Sequence, residues 1–329
     1  MAIVTGSTIT YGVGTAGGNR EDLEDVIWEL DPLETRVLTT FDRVDASATY
    51  HEWELDTLVA PGANRQIEGD AESYTSIASP TRAGNYCQIS SKQFLVSGTQ
   101  EVVAKAGRKS EIVRQLKKQM KELKNDMEYG IVTNQASSAG GSATARSMGS
   151  IESWIPTTDN SGNGVRATTT ASASTAAFAA GVVAAPTDGT TTGALTEAKF
   201  KEALQLAWAD GGNATFVLCN TTQKAAISAF SGIATKTTQI PNNKVRAVIQ
   251  ASADFYVSEV GVHELVLHRH VRQSVVLALD PDYWAVAFLR APFSEQMAKT
   301  SDGEKRAMRA EYTLVCRNHN ANAKVVACA

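Results

Sequence analysis

Three groups of residues in this sequence have types and spacings that could do chemistry. Gly12, Gly14 and Gly17 stand at the spacing of a dinucleotide loop, His263, His268 and His270 bring nitrogen donors close together, and Arg114, Lys117, Lys118, Lys121 and Lys124 concentrate cations. Glycines at this spacing cradle a pyrophosphate only behind a buried apolar strand and ahead of an open helix N-terminus. Here the preceding residues are polar, and Glu21, Asp22, Glu24 and Asp25 behind the glycines would repel phosphate. The segment therefore reads as a Gly-rich arm. Two histidines can ligate a metal, and strand alternation would place His268 and His270 on one face. Glu264 would then lie on the opposite face from His263, and no water-activating acid stands at motif spacing, so the histidines read as core or surface residues beside Arg269 and Arg272.

No nucleophile elbow, Walker loop or HExxH motif occurs. The sequence thus points to no cofactor and to a structural role, with a nucleotide- or metal-dependent enzyme as the remote alternative. Cys87, Cys219, Cys316 and Cys328 are widely spaced, without a CxxC or zinc-type Cys/His pair, and read as reduced packing residues.

The five cations belong to the clearest element of the chain, a helix beginning near Ser110. At about 100° per residue, Ile112, Leu116, Met120, Leu123, Met127 and Ile131 fall in one stripe, with Arg114, Lys117, Lys118, Lys121 and Lys124 on the adjoining face. One face should be buried and the other cationic. Such a face could contact nucleic-acid phosphates without sequence preference or receive an acidic protein surface, and charge alone does not choose. An acidic candidate exists in the same chain. Residues 1–90 carry fifteen acidic side chains against five basic ones, a net of −10, and the first lysine is Lys92.

The remaining elements follow from local pattern. Asn19 can cap a short helix over 21–30, stopped by Asp31-Pro32. From 41 to 103 the pattern is strand-like: His51, Trp53, Leu55 and Thr57 alternate with Glu52, Glu54, Asp56 and Leu58, residues 61–64 turn the chain, and 86–103 returns. This predicts a long two-stranded ribbon, too marginal to stand without a partner surface. Residues 135–193 are rich in Ala, Ser, Thr and Gly and should form long loops ordered by neighbouring subunits, with a short strand at 151–155. A helix from Thr196 to Trp208, a strand at 215–219 and a helix at 222–230 read as an α/β layer. Strands over 245–271, a hairpin of 273–279 with 283–289, and a closing strand at 310–317 complete an α+β fold with an inserted α/β unit.

Composition sets the limits. The chain has 329 residues, 43% of them hydrophobic and 20% charged, with a net charge of −4. This balance fits a soluble globular protein of one elaborate or two domains and does not mark a dedicated nucleic-acid or membrane-surface binder. No apolar run of about 18 residues and no basic, apolar leader pattern occur, so the sequence indicates neither membrane spanning nor secretion, and the expected site of synthesis is the cytosol.

The order of parts resembles the major capsid proteins of tailed bacteriophages, which share the HK97-like fold. The resemblance is sharpest in VLALDPDYWAVAFLRAPFSEQMA at 276–298, which runs into KTSDGEKRAMRAEYTLVCRNHNANAKVV at 299–326, and in YVSEVGVHELVLHRH at 256–270. These stretches look like the C-terminal half of the capsid proteins of podophage SU10 and its relatives.

The resemblance implies five parts: an N-terminal arm and short helix at 1–41, an extended hairpin or E-loop at 42–96, a peripheral domain with the spine helix at 97–150, an axial domain at 151–262, and closing peripheral strands at 263–329. It also implies a homo-oligomer of hexamers and pentamers in an icosahedral shell around double-stranded DNA, bound non-specifically. The protein would reside in the virion after assembly in the bacterial cytoplasm. Some members crosslink through an E-loop lysine, which this sequence lacks before Lys92, so noncovalent contacts are expected. The short arm implies no N-terminal trimming and a separate scaffolding protein, and a cement or decoration protein and a portal are further expected partners. An encapsulin-like shell around protein cargo is the alternative with the same fold.

Overall fold

The computed structural model describes residues 33, 35–69, 74, 76–77, 79–105, 107–155, 178–179, 182–186, 193–230, 254–326 and 328. The Gly-rich arm with Gly12, Gly14 and Gly17, the helix expected over 21–30, residues 156–177 of the Ala/Ser/Thr/Gly-rich stretch and residues 245–253 of the strands expected over 245–271 lie outside them.

The chain is α+β, built on two sheets. Helix α1 (Arg36–Thr40) leads into β1 (Asp42–Asp45), β2 (Tyr50–Leu55), β3 (Thr81–Tyr86) and β4 (Gln88–Ser97). Helices α2 (Gly98–Val102), α3 (Glu111–Val132) and α4 (Ile151–Trp154) follow, then the short pair β5 (Phe178–Ala179) and β6 (Val182–Val183). Next come α5 (Glu197–Ala209), β7 (Phe216–Cys219), α6 (Thr221–Ser228), β8 (Phe255–Val257), β9 (Val262–Leu267) and β10 (Val276–Leu279). The chain closes with β11 (Trp284–Gln296), β12 (Gly303–Cys316) and β13 (Ala323–Val325).

The four-stranded sheet runs β1-β11-β12-β4, with β1 parallel to β11 and the other pairs antiparallel. The five-stranded sheet runs β13-β10-β7-β9-β8, with only β7 and β9 parallel. One core joins them. Leu123, Met127 and Ile131 of α3 pack with Met308, Tyr312 and Leu314 of β12 and with Phe216, Leu218, Leu277 and Leu279 of the second sheet. The far face of the five-stranded sheet is covered by Phe200, Ala203, Leu204 and Ala207 of α5 and Ile227 of α6.

Local chemistry sets several element starts as the sequence predicts. Ser110 Oγ accepts the Val113 N–H at the head of α3, and Thr196 Oγ1 accepts the Lys199 N–H at the head of α5. Four expectations are corrected. Residues 86–103 are not one strand: β4 ends at Ser97, whose hydroxyl accepts the Gln100 N–H and starts α2. Residues 151–155 form a helical turn rather than a strand, and all five are buried where a one-faced strand would alternate.

The ribbon is also shorter than its pattern suggests. Only β2 and β3 pair with each other, while β4 pairs with β12 in the body. Its base is rooted rather than free, because Trp53 Nε1 donates to Cys316 O at 2.9 Å and the buried Asn85 donates to Leu314 O at 2.8 Å and accepts from Gly149 N at 2.8 Å.

The hairpin expected at 273–289 does not form. β10 joins the five-stranded sheet and β11 the four-stranded one, with a 3₁₀ turn at Pro281–Tyr283 between them. Buried Asn322 holds this crossing, its Oδ1 accepting from Asp280 N at 2.9 Å and Trp284 Nε1 at 2.8 Å. Strands β9, β10 and β13, from residue 262 onward, complete the sheet built around β7.

Candidate assembly surface

Two surfaces stand out on this frame, the exposed face of α3 and the projection beyond β2 and β3. Burial of Leu123, Met127 and Ile131 fixes the rotation of α3 about its axis, so Lys117, Lys118, Lys121 and Lys124 are exposed together and Arg114 is half-buried beside them. Two of these cations have an acidic neighbour on the same helix. Arg114 Nη1 donates to Glu111 Oε1 at 2.9 Å, and Lys118 lies 3.7 Å from Glu122 in an exposed i,i+4 pair of small energetic weight. Burial pushes the Glu111 carboxyl up, but hydrogen bonds from Gln115, Arg108 and Arg114 outweigh it and hold the group below its usual range.

The segment between β2 and β3, residues 56–80, is the second, and the projection denotes its described residues, 56–69, 74, 76–77 and 79–80. Its described residues are exposed, with Leu58 at 98%, Val59 at 94%, Ile67 at 79% and Ile77 at 94% of their surface bare. Large apolar side chains this open, on an acidic segment, make the segment a candidate contact surface. At its base Gly84 leaves room for the Tyr50 ring, which a Cβ there would meet at 2.6 Å and displace.

His263 and His268 are buried and His270 is half-buried, and the strand face expected for His268 and His270 is absent because both lie past the end of β9, His270 in a turn. His263 Nδ1 lies 2.5 Å from Ala214 O and its Nε2 lies 2.7 Å from Ser258 Oγ, and burial pushes its pKa down, with the Ala214 hydrogen bond opposing. His268 is buried against Glu128 at 3.0 Å, and His270 reaches Asn125 at 3.5 Å. Among the described residues no group of three or more His, Cys, Asp or Glu side chains is placed to hold a metal ion. No helix among them is long and apolar enough to cross a membrane. All four cysteines are buried free thiols.

Sequence reasoning passed over the buried carboxylates. Glu311 accepts from Arg146 at 2.6 Å and Arg290 at 2.9 Å, Glu152 from Arg272 at 3.0 Å, and Glu128 from His268. Buried carboxylates persist where such partners offset desolvation. Arg146 and Glu311 are 165 positions apart, so no local pattern announces the pair.

Comparison with known proteins gives this geometry its context. The chain is 28% identical over 120 residues to the major capsid protein of Escherichia phage Phieco32, a match that spans 36% of this chain and 34% of that protein. The fold matches the capsid of the native GTA particle with a TM-score of 0.62 at 9% identity, covering 99% of this chain and 100% of that one. It also matches the structure of Phage G gp27 major capsid proteins and gp26 decoration proteins, with a TM-score of 0.53 at 11% identity over 94% of this chain and 95% of that one. These likenesses identify the HK97-like fold. The family model of the SU10 major capsid protein matches residues 5–329, so this chain, with its two main sheets packed on one long helix, belongs to the SU10 major capsid protein family of phage heads.

Proposed function

We propose that many copies of this chain assemble into hexamers and pentamers of an icosahedral phage head around double-stranded DNA, and that its role is structural rather than catalytic. The observation that carries this reading is the projection at 56–80, an acidic segment with nearly bare Leu58, Val59, Ile67 and Ile77. A second copy supplies the cover: the projection lies on the neighbour's α3 region, where Arg114, Lys117, Lys118, Lys121 and Lys124 offer opposite charge. Each such contact is weak, and symmetry multiplies it around the shell.

Within the span 42–96, β2, β3 and the segment between them then act as the E-loop, while β1 and β4 join β11 and β12 in the four-stranded sheet, which with α3 as the spine helix makes the peripheral unit; the five-stranded sheet with α5 and α6 makes the axial unit. The absence of lysine before Lys92 leaves the projection without an amine for crosslinking, so the contact is noncovalent. A separate scaffolding protein, a portal and a decoration protein complete the assembly; the Phage G structure, which holds decoration proteins with its capsid proteins, supports the last. Assembly takes place in the bacterial cytoplasm and the product is the virion.

Negative-stain microscopy of the purified full chain tests this reading. Shells or capsomers are expected, and small discrete oligomers under every condition would overturn it. Particles filled with protein and lacking DNA would instead indicate an encapsulin-like compartment.

A further inference from the structure

One buried carboxylate ties together three segments that are remote in sequence. Glu128 of α3 is fully buried, and its Oε1 accepts the Val37 N–H at 2.6 Å while Oε2 accepts the Leu38 N–H at 2.9 Å. Its third partner is His268, also buried, whose Nε2 lies 3.0 Å from Oε1. The tautomer follows from the next bond along. The His270 N–H donates to His268 Nδ1 at 3.2 Å, so Nδ1 carries the lone pair and Nε2 carries the proton that points at Glu128.

Val37 and Leu38 are the second and third residues of α1, the positions whose free N–H groups a helix cap serves. In α2, α3 and α5 that cap is local, from Ser97, Ser110 and Thr196. In α1 the adjacent Thr35 makes no side-chain cap, and Glu128 supplies it from 91 residues away in sequence. A five-residue helix has no stability of its own. It therefore depends on Glu128, and Glu128 is itself held by the turn that follows β9.

We infer that Glu128 is a conformational joint: α1 forms only when α3 and the five-stranded sheet are seated against each other, and the joint thereby sets how the chain enters β1 and the base of the ribbon. The surrounding contacts agree in direction. Val37 and Leu38 enter the shared core, Phe41 stacks on Trp284 at 5.7 Å where the chain crosses between sheets, and Arg36 pairs with Glu264 of β9 at 2.7 Å. The joint couples the seating of the two sheets to the root of the projection, and it stands whether or not the shell reading does.

Residue-resolved amide hydrogen exchange on the unassembled full chain tests it. In Glu128→Gln an amide NH2 must face one of the three donors, and exchange at Val37 and Leu38 should quicken about ten- to a hundredfold while Leu204 in α5 keeps its rate. His268→Leu should quicken the same two amides, and His268→Gln, which keeps a donor, should restore part of their protection. If Glu128→Gln fails to fold, the two His268 variants give the same reading. Unchanged Val37 and Leu38 amides, or equal acceleration of every protected amide, would overturn the inference.

Discussion

The thiols of Cys87 and Cys219 show how far a side chain's chemistry follows from its surroundings. Burial pushes both from an ordinary 9.0 up to about 11, assisted at Cys87 by the Glu311 charge and opposed by Arg146. Burial raises the Cys316 thiol as well. At neutral pH these groups are protonated and poor nucleophiles. The consequence for stability has a definite sign. The folded state keeps protons that the unfolded state releases, so this contribution is complete below pH 9 and is lost as pH climbs toward 11. Thermal melts at about pH 8 and about pH 10.5 should therefore show a smaller alkaline loss in Cys219→Ala than in the parent chain. An identical loss in both would refute the assignment.

Among the elements, α3 has a buried apolar face and an exposed cationic one, and the two separate experimentally. Its apolar stripe is seated in the shared core, so Leu123→Ala would cost about 2–5 kcal/mol of stability. Its lysines are exposed, so replacing Lys117, Lys118 and Lys121 with Glu should shift the melting temperature by no more than a few degrees while reducing assembly or DNA retention. Light scattering reports assembly, and nuclease-protected DNA per particle reports retention. A loss of assembly alone assigns the face to a neighbouring subunit, and a loss of DNA alone assigns it to the packaged nucleic acid. If both survive, the face is only solvated.

For the whole molecule, the decisive test removes the projection and keeps its base. Joining Leu55 to Thr81 through a two-residue Asn-Gly turn preserves the register of β2 and β3 and the anchors at Trp53 and Asn85. The shortened chain should fold with nearly unchanged circular dichroism and melting temperature, because residues 56–69 are exposed and outside the core. It should form no shells. Shells of normal size from this variant would remove the projection from any account of assembly.

The sequence alone determined the features that depend on neighbours a few positions apart. The 3.6-residue period of Ile112, Leu116, Leu123 and Met127, and the Ser110 and Thr196 caps, place α3 and α5 because helix hydrogen bonds and helix faces are local. The acidic, lysine-free first ninety residues and the resemblance to phage capsid proteins were legible for the same reason, since composition and motif survive without a fold. Pairing across the chain was not legible. The apolar runs flanking Asp280 look like two arms of a hairpin, and only Asn322, brought alongside by the fold, shows that they enter different sheets. The ribbon ends where β4 finds β12, more than two hundred residues on, and a strand pattern cannot say which strand it will meet. Tertiary structure also decided the buried charges. Glu128, Glu152 and Glu311 look like surface residues in sequence, and they are buried because donors from distant segments converge on them to offset the loss of water.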